Sequence, residues 1–323
     1  MKAVFAAGAA AISLAILAAA APANATGEVK VTPLGSHEGE FCRQDRALIF
    51  EDPDGTRLLY DPGRTVAGPN DPRLGKIDAV LVSHMHGDHA GDAHLPAPGA
   101  GTCEKPDTSA KALPHTSAAA IAHATGAKIV TGSEMPRFFA GKLKALGGDP
   151  KKSVLVRFGA STKVGGVTVT TVPAAHSNGI AGGMVGGDLG RMLEDAGLTA
   201  YAGPPTGYVL TFTNGLVAYL SGDTGVTSEQ KVVVGDQYKA KLVVMNIGDT
   251  FTTGPMEAAY VINELVKPAS VIASHANEVG TQGGKVVGKK TLMFQKATKV
   301  PVHVPLSGRT MGFDGAGKCT AGC

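Results

Sequence analysis

The sequence predicts an α/β protein. Three observations say so. Strand-like and helix-like segments alternate along the chain. Two apolar runs, 77–83 (IDAVLVS) and 241–247, are continuous rather than alternating, as in strands buried on both faces. Glycine marks several of the junctions between segments.

The elements follow in order. Residues 29–34 and 46–51 read as strands, and Gly55 turns the chain into a further strand at 57–60. After the buried strand 77–83, the Ala-rich stretch 117–124 reads as a helix stopped by Gly126. A short strand at 128–131 precedes a helix at 135–146, closed by Gly147-Gly148. Strands are expected at 153–158, 167–172, 208–212 and 217–221, the last two joined by the tight turn Asn214-Gly215. A buried strand at 241–247 leads to a helix that opens with Gly254-Pro255 and runs to 266, proline being tolerated in the first turn. A strand at 271–274 and a helix at 286–297 complete the pattern. The Gly-rich stretch 178–205 shows no periodicity and is too long for a plain connection, so it reads as a lid or binding loop.

With 323 residues, 43% hydrophobic and 18% charged, the chain has ample core and is not of disordered composition. A net charge of +3 without any Lys/Arg run gives no support for a nucleic-acid surface. No linker divides the chain, so 26–323 is expected to be a single domain. Residues 1–25 read as a signal peptide: Met1-Lys2, an apolar run over 3–21, and Ala23-Asn24-Ala25 as an A-x-A cleavage site. The competing reading is an uncleaved N-terminal anchor. Export with cleavage makes the expected location periplasmic or secreted, with no stable membrane insertion afterwards. Cys42, Cys103, Cys319 and Cys323 would then lie in an oxidising compartment. Disulfides are favoured over buried thiols. Three pairings are open, one of which joins Cys319 to Cys323 and leaves Cys42 for Cys103.

The chemistry concentrates in Ser83-His84-Met85-His86-Gly87-Asp88-His89, directly after the buried strand 77–83. Loops at the carboxyl ends of strands are where α/β proteins build sites. In extended chain His84 and His86 point to one side. Asp88 and His89 follow Gly87, where the chain can turn and aim them elsewhere. One loop can thus serve two adjacent metals. Imidazoles and a carboxylate suit Zn²⁺ first, and the carboxylates also admit Mn²⁺ or Fe²⁺. Further ligands are offered just past apolar runs: His176 in Val-Pro-Ala-Ala-His-Ser, Asp223 in Ser-Gly-Asp-Thr-Gly, and His275 in Ile-Ala-Ser-His-Ala.

These pieces, in this order, resemble the metallo-β-lactamase-fold superfamily of metal-dependent hydrolases. Within it the likeness is to the branch that contains the ascorbate-6-phosphate lactonase. The segment Ile-Gly-Asp-Thr-Phe-Thr-Thr-Gly-Pro at 247–255 is what points to that branch. Segments near 93–115 and 178–205 look like additions to its pattern. The resemblance implies a four-layer αβ/βα sandwich with two divalent metal ions between the sheet edges. It implies that His84, His86 and His176 hold the first, that Asp88, His89 and His275 hold the second, and that Asp223 bridges both. The expected enzyme hydrolyses a small molecule with a metal-bridging hydroxide, Asp88 also carrying a proton to the leaving group. A bridging Asp223 favours a carboxylic ester or lactone. A phosphodiester is the alternative, and a β-lactam is disfavoured. No Lys/Arg cluster stands near the ligand motifs, although Arg191 in 178–205 is a candidate anion contact. A protein that binds metal without catalysis is the competing class. The serine-esterase motif Gly-x-Ser-x-Gly is absent.

Other residues weigh less. Asp61, before Pro62, is either a turn residue or a carboxylate that hydrogen-bonds a ligand histidine. His37 is divided between lining the site and the surface. His94, His115, His123 and His303 read as solvated or supporting, and Met135, Met184 and Met192 as packing.

Overall fold

The computed structural model describes Met1, Ala3 and residues 26–323, so the expected signal peptide falls almost wholly outside the described residues. The first half of the chain forms β1 (Val29–Pro33), β2 (Leu48–Glu51), β3 (Arg57–Tyr60), β4 (Ala79–Leu81), β5 (Lys128–Thr131) and β6 (Ser153–Leu155). The second half forms β7 (Ser161–Val164), β8 (Val167–Pro173), β9 (Thr206–Thr211), β10 (Val217–Leu220), β11 (Leu242–Asn246), β12 (Ser270–Ser274) and β13 (Val302–His303). The chain then returns with β14 (Met311–Phe313) and β15 (Cys319–Ala321). Among the described residues these make an eight-stranded sheet, ordered β15-β14-β1-β2-β3-β4-β5-β6, and a seven-stranded sheet, ordered β13-β12-β11-β10-β9-β8-β7.

The two sheets repeat one plan. From β3 to β6 and from β10 to β13 neighbouring strands are parallel; the remaining pairs are antiparallel. Parallel neighbours need crossovers that cover the sheet faces, which is why the runs around 77–83 and 241–247 are apolar on both faces. Three clusters of buried side chains result. Phe50, Leu58 and Tyr60 of the first sheet meet Tyr208, Leu210 and Leu220 of the second. Behind the first sheet, Val80 and Ile129 pack against Ile121 and Phe139 of α2 (Ser117–Thr125) and α3 (Met135–Ala145), α1 being the short turn Gly87–Ala90. Behind the second, Val243 and Met245 pack against Ala258, Ile262 and Phe294. Three cores between four layers is the αβ/βα sandwich. Full burial of each large apolar side chain here contributes roughly 1.5–3 kcal/mol.

Two tyrosines cross the central core in opposite directions. Tyr60 Oη, at the end of β3, accepts from the Gly222 N–H 2.9 Å away in the second half. Tyr208 Oη, on β9, lies 2.7 Å from the Val82 carbonyl and 2.9 Å from that of Val130 in the first. Both rings are fully buried, and burial holds both hydroxyls well above the usual tyrosine range, so they stay protonated.

Several expectations change. Residues 178–205 are structured: a ribbon pairs Gly179–Ile180 with Ala200–Tyr201 around α4 (Gly182–Val185) and α5 (Gly187–Asp195). Glycines hid the helices from the periodicity, and Gly182 and Gly190 are needed because each one's Cβ position would clash with the other's backbone. The helix from Gly254-Pro255 is α6 (Pro255–Tyr260), continued to Val266 with π-type bonding. The last helix, α7 (Lys289–Ala297), starts later than expected because Lys285–Val286 pairs with Thr281–Gln282. Strands β7 and β13–β15, and the π-type segment Gln230–Gln237, carried no signal that was read. Cysteines pair as Cys42–Cys103 and Cys319–Cys323. The first bridge ties the added segment near 93–115, which holds the ribbon Ala93–His94/Ala110–Lys111, to the loop between β1 and β2. No helix among the described residues is long and apolar enough to cross a membrane.

Candidate metal centre

The carboxyl ends of the parallel strands in both sheets converge on one place. Leaving β4, the chain runs extended through His84 and His86, then coils as α1, with His86 as its N-cap. Met85, between the two histidines, is fully buried, and its N–H donates to Asn178 Oδ1 at 2.8 Å. Gly87 is required by a close approach: a Cβ there would stand 2.1 Å from the Asp92 carboxylate. The helical turn swings Asp88 and His89 to a second face, and Gly91, with φ of 76°, ends it.

The second sheet supplies the other side. His176 follows β8, Asp223 follows β10 and His275 follows β12, the last in a left-handed conformation with φ of 49°. All seven residues singled out from the sequence come together. Donor atoms of His84, His86 and His176 lie within 4.8 Å of one another, as do those of Asp88, His89 and His275. Asp223 stands between the two triads. Its Oδ2 is 3.8 Å from His84 Nε2, 3.7 Å from His176 Nε2 and 3.1 Å from His275 Nε2; its Oδ1 is 3.3 Å from His89 Nε2.

The electrostatics are those of a cation cradle. Burial holds His84 well below its usual range, and lowers His86 and His176 as well, so these rings keep free lone pairs at neutral pH. Burial pushes the Asp88 carboxyl up, but His89 and Arg46 outweigh it and hold Asp88 well below the usual carboxylate range. Asp223 behaves alike: burial opposes ionisation, and His89 and His275 overcome it. Burial would lower His89, but Asp223, Asp88 and Asp61 together raise it to about 10. In the metal-free protein a proton there adds to Arg46 in balancing the buried carboxylates. His84 Nε2, His89 Nε2 and Asp223 Oδ1 are buried without hydrogen-bond partners. Buried polar atoms are normally paired, so this set of facing, orphaned donor atoms fits divalent cations.

Outer contacts fix the rings. Asp61, fully buried at the end of β3, accepts from His89 Nδ1 (2.8 Å), Ser83 N–H (2.8 Å) and Ser83 Oγ (2.7 Å). Of its two readings, the structure therefore supports the carboxylate that orients a histidine. His37 contacts Ser36 Oγ and the Gly101 carbonyl. A cavity of about 320 Å³ opens over the ligands, lined also by Arg64, Ser177, Phe251 and Asn277. No residue of 178–205 lines it, contrary to the lid reading; Ile180, Met184 and Ala202 pack instead with the α2/α3 core. Arg191 pairs with Asp188 on α5.

Four residues at the site escaped the sequence reading. Arg46, with its side chain almost fully buried, donates from Nε to Asp88 Oδ2 at 3.0 Å and from Nη2 to Asn277 Oδ1 at 2.8 Å. An arginine heading an apolar strand is the signal that could have found it, because such a charge needs a buried partner. Arg64 grips Asp92 through two bonds of 2.6 and 2.7 Å. Phe251, 68% exposed, projects from a loop whose Asp249 and Thr250 both have positive φ.

Residues 56–276 match the family described as Beta-lactamase superfamily domain. A UPF0173 metal-dependent hydrolase of Polynucleobacter asymbioticus is 30% identical over 272 residues, covering 81% of each chain. Another, of Cupriavidus taiwanensis, is 29% identical over 289 residues, covering 90% of this chain and 88% of its own. Among solved structures, a metallo hydrolase from Ignicoccus hospitalis superposes with a TM-score of 0.55 at 22% identity, covering 89% of this chain and 99% of its own.

Proposed function

The chain belongs to the β-lactamase superfamily, and from that premise we propose that it is an exported metal-dependent hydrolase whose dinuclear centre cleaves a carboxylic ester or lactone. The observation that supports the reading is the position of Asp223, within 3.8 Å of His84, His89, His176 and His275, where one carboxylate would serve both triads.

His84, His86 and His176 would hold one divalent cation, Asp88, His89 and His275 the other, with Zn²⁺ the first candidate. When bound, the pair supplies Lewis acidity and a water acidic enough to deprotonate near neutral pH. The chain's residues do the rest. Asp88 keeps one carboxylate oxygen on Arg46, so its orientation is fixed, while its side chain remains 27% exposed to the cavity. It is therefore placed to take a proton and pass it to a departing alkoxide. Asp61 holds the His89 proton on Nδ1, leaving Nε2 as a donor. Phe251 and Asn277 wall the cavity where an acyl substrate would sit.

Phosphodiester hydrolysis is the second reading, and Arg64 on the cavity wall favours it, because a guanidinium suits a phosphoryl oxygen. The test is kcat/KM of metal-loaded protein for a lactone, a phosphodiester and a penicillin. The ester or lactone reading expects the lactone to lead, a leading phosphodiester selects the second reading, and a dominant penicillin rate would refute both. Export is tested separately: mass spectrometry of the native protein should find a mature terminus at or near Thr26, and an intact Met1 would overturn it.

A further inference from the structure

The outer edges of the two sheets meet at a second cluster of metal-binding side chains. His303 is the last residue of β13, the edge strand of the seven-stranded sheet. Cys319 opens β15, the edge strand of the eight-stranded sheet, and Cys323 follows it closely. The His303 ring packs edge-on against Phe313 at 5.5 Å, and Phe313 is the register partner of Cys319. One donor atom from each of His303, Cys319 and Cys323 lies within 4.8 Å of the other two.

A second observation is independent of the cysteines. His303 Nε2 is buried and has no hydrogen-bond partner. Burial lowers the pKa of this imidazole, so its lone pair is available at neutral pH. One ring nitrogen of His303 lies within 4.8 Å of both sulfurs and its Nε2 is buried without a partner, as in an incomplete coordination shell.

We propose that, once the Cys319–Cys323 disulfide is reduced, His303, Cys319 and Cys323 form a redox-gated site for a thiophilic cation of the Zn²⁺ class. Soft thiolates with one imidazole select such ions, and three protein ligands leave the fourth position to water. The step balances with an external dithiol. The S–S bond breaks as two electrons and two protons pass to the sulfurs, and the dithiol becomes a disulfide. Cation binding then displaces both thiol protons. The ion would join the outer edges of the two sheets, which the disulfide, lying within one segment, does not do. This inference does not depend on the chemistry of the principal centre, whose ligands include no sulfur.

Co²⁺ titration of the full chain tests it, because thiolate–Co²⁺ charge transfer absorbs in the near ultraviolet and imidazole–carboxylate sites lack that band. Protein treated with a dithiol, then freed of it without air, should develop the band on adding Co²⁺, and oxidised protein should not. The double variant Cys319→Ser/Cys323→Ser should lose the band while retaining the Cys42–Cys103 pair. His303→Ala should weaken Co²⁺ binding by on the order of 100-fold, at least the upper range for losing a mere outer-shell partner. A band that persists in the double variant, or no band in reduced wild-type protein, overturns the site. Unchanged affinity in His303→Ala removes the histidine from it. Comparing oxidised and reduced wild type needs no variant, so misfolding cannot rescue the proposal.

Discussion

Replacing Asp61 by Asn tests how the centre is held, because it changes almost no volume and reverses one hydrogen bond. Asp61 accepts three bonds and donates none. Asn offers a single acceptor oxygen, and the Ser83 N–H at 2.8 Å has first claim on it, since a buried backbone donor is costly to leave unpaired. The new NH₂ then faces His89 Nδ1 at 2.8 Å. If His89 keeps its proton on Nδ1, two donors oppose each other. If the proton moves to Nε2, the lone pair facing Asp223 and Asp88 is lost. Either outcome weakens a ligand. Outer-shell substitutions of this kind cost about 10–100-fold in metal affinity, or roughly 1.4–2.7 kcal/mol. Ser83→Ala is the companion variant: it leaves the Asp61–His89 contact but removes Oγ, which lies 2.7 Å from Asp61 Oδ2 and 3.0 Å from His84 Nδ1, so its loss of affinity should fall on the His84 triad. Competition against a chelator, read by metal analysis, gives both affinities. If Asp61→Asn binds within twofold of wild type, the tautomer argument is wrong.

Arg46→Met should loosen Asp88 and so lower metal affinity by about 10–100-fold, with kcat at saturating metal falling as well; chelator competition with metal analysis and steady-state kinetics read the two. In metal-free protein His89 is raised from the usual 6.5 to about 10, so the folded state holds a proton that the unfolded chain releases. Its stabilisation is full below pH 6.5 and lost as pH rises through 10. Thermal denaturation should therefore show the metal-free Tm falling between pH 7 and pH 9.5, roughly, and the metal-loaded Tm changing less. Phe251→Ala should shift relative kcat/KM across substrates and leave metal affinity alone; an unchanged substrate profile would remove Phe251 from recognition.

The seven candidate residues that the fold brings together were legible because each is a local event. His84, His86, Asp88 and His89 share one loop after a continuous apolar run, and His176, Asp223 and His275 each close another. The parallel strands that aim them were legible for the same reason. Arg46, Arg64, Phe251 and Asn277 were not, since nothing next to Arg46 in sequence announces Asp88 or Asn277, which only the docked sheets bring near. Strands β13 and β14 failed differently: two or three residues are too few to show a period, and pairing with long neighbours, not propensity, makes them strands. In 178–205, glycines chosen for close helix contact removed the apolar spacing that identifies helices.

The reciprocal tyrosine ties have a consequence for how such an enzyme can change. Tyr60 fixes the backbone beside Asp223, and Tyr208 fixes the strand end just before His84, each from the opposite sheet. The part of the floor that carries Asp223 and His84 is therefore tied to both sheets, and shifting either residue strains a bond to the opposite sheet. The rim obeys no such constraint where Phe251, 68% exposed, rides a loop outside both sheets. New substrates would be acquired by rewriting the rim, while the reaction itself stays fixed by a floor that tolerates almost no drift.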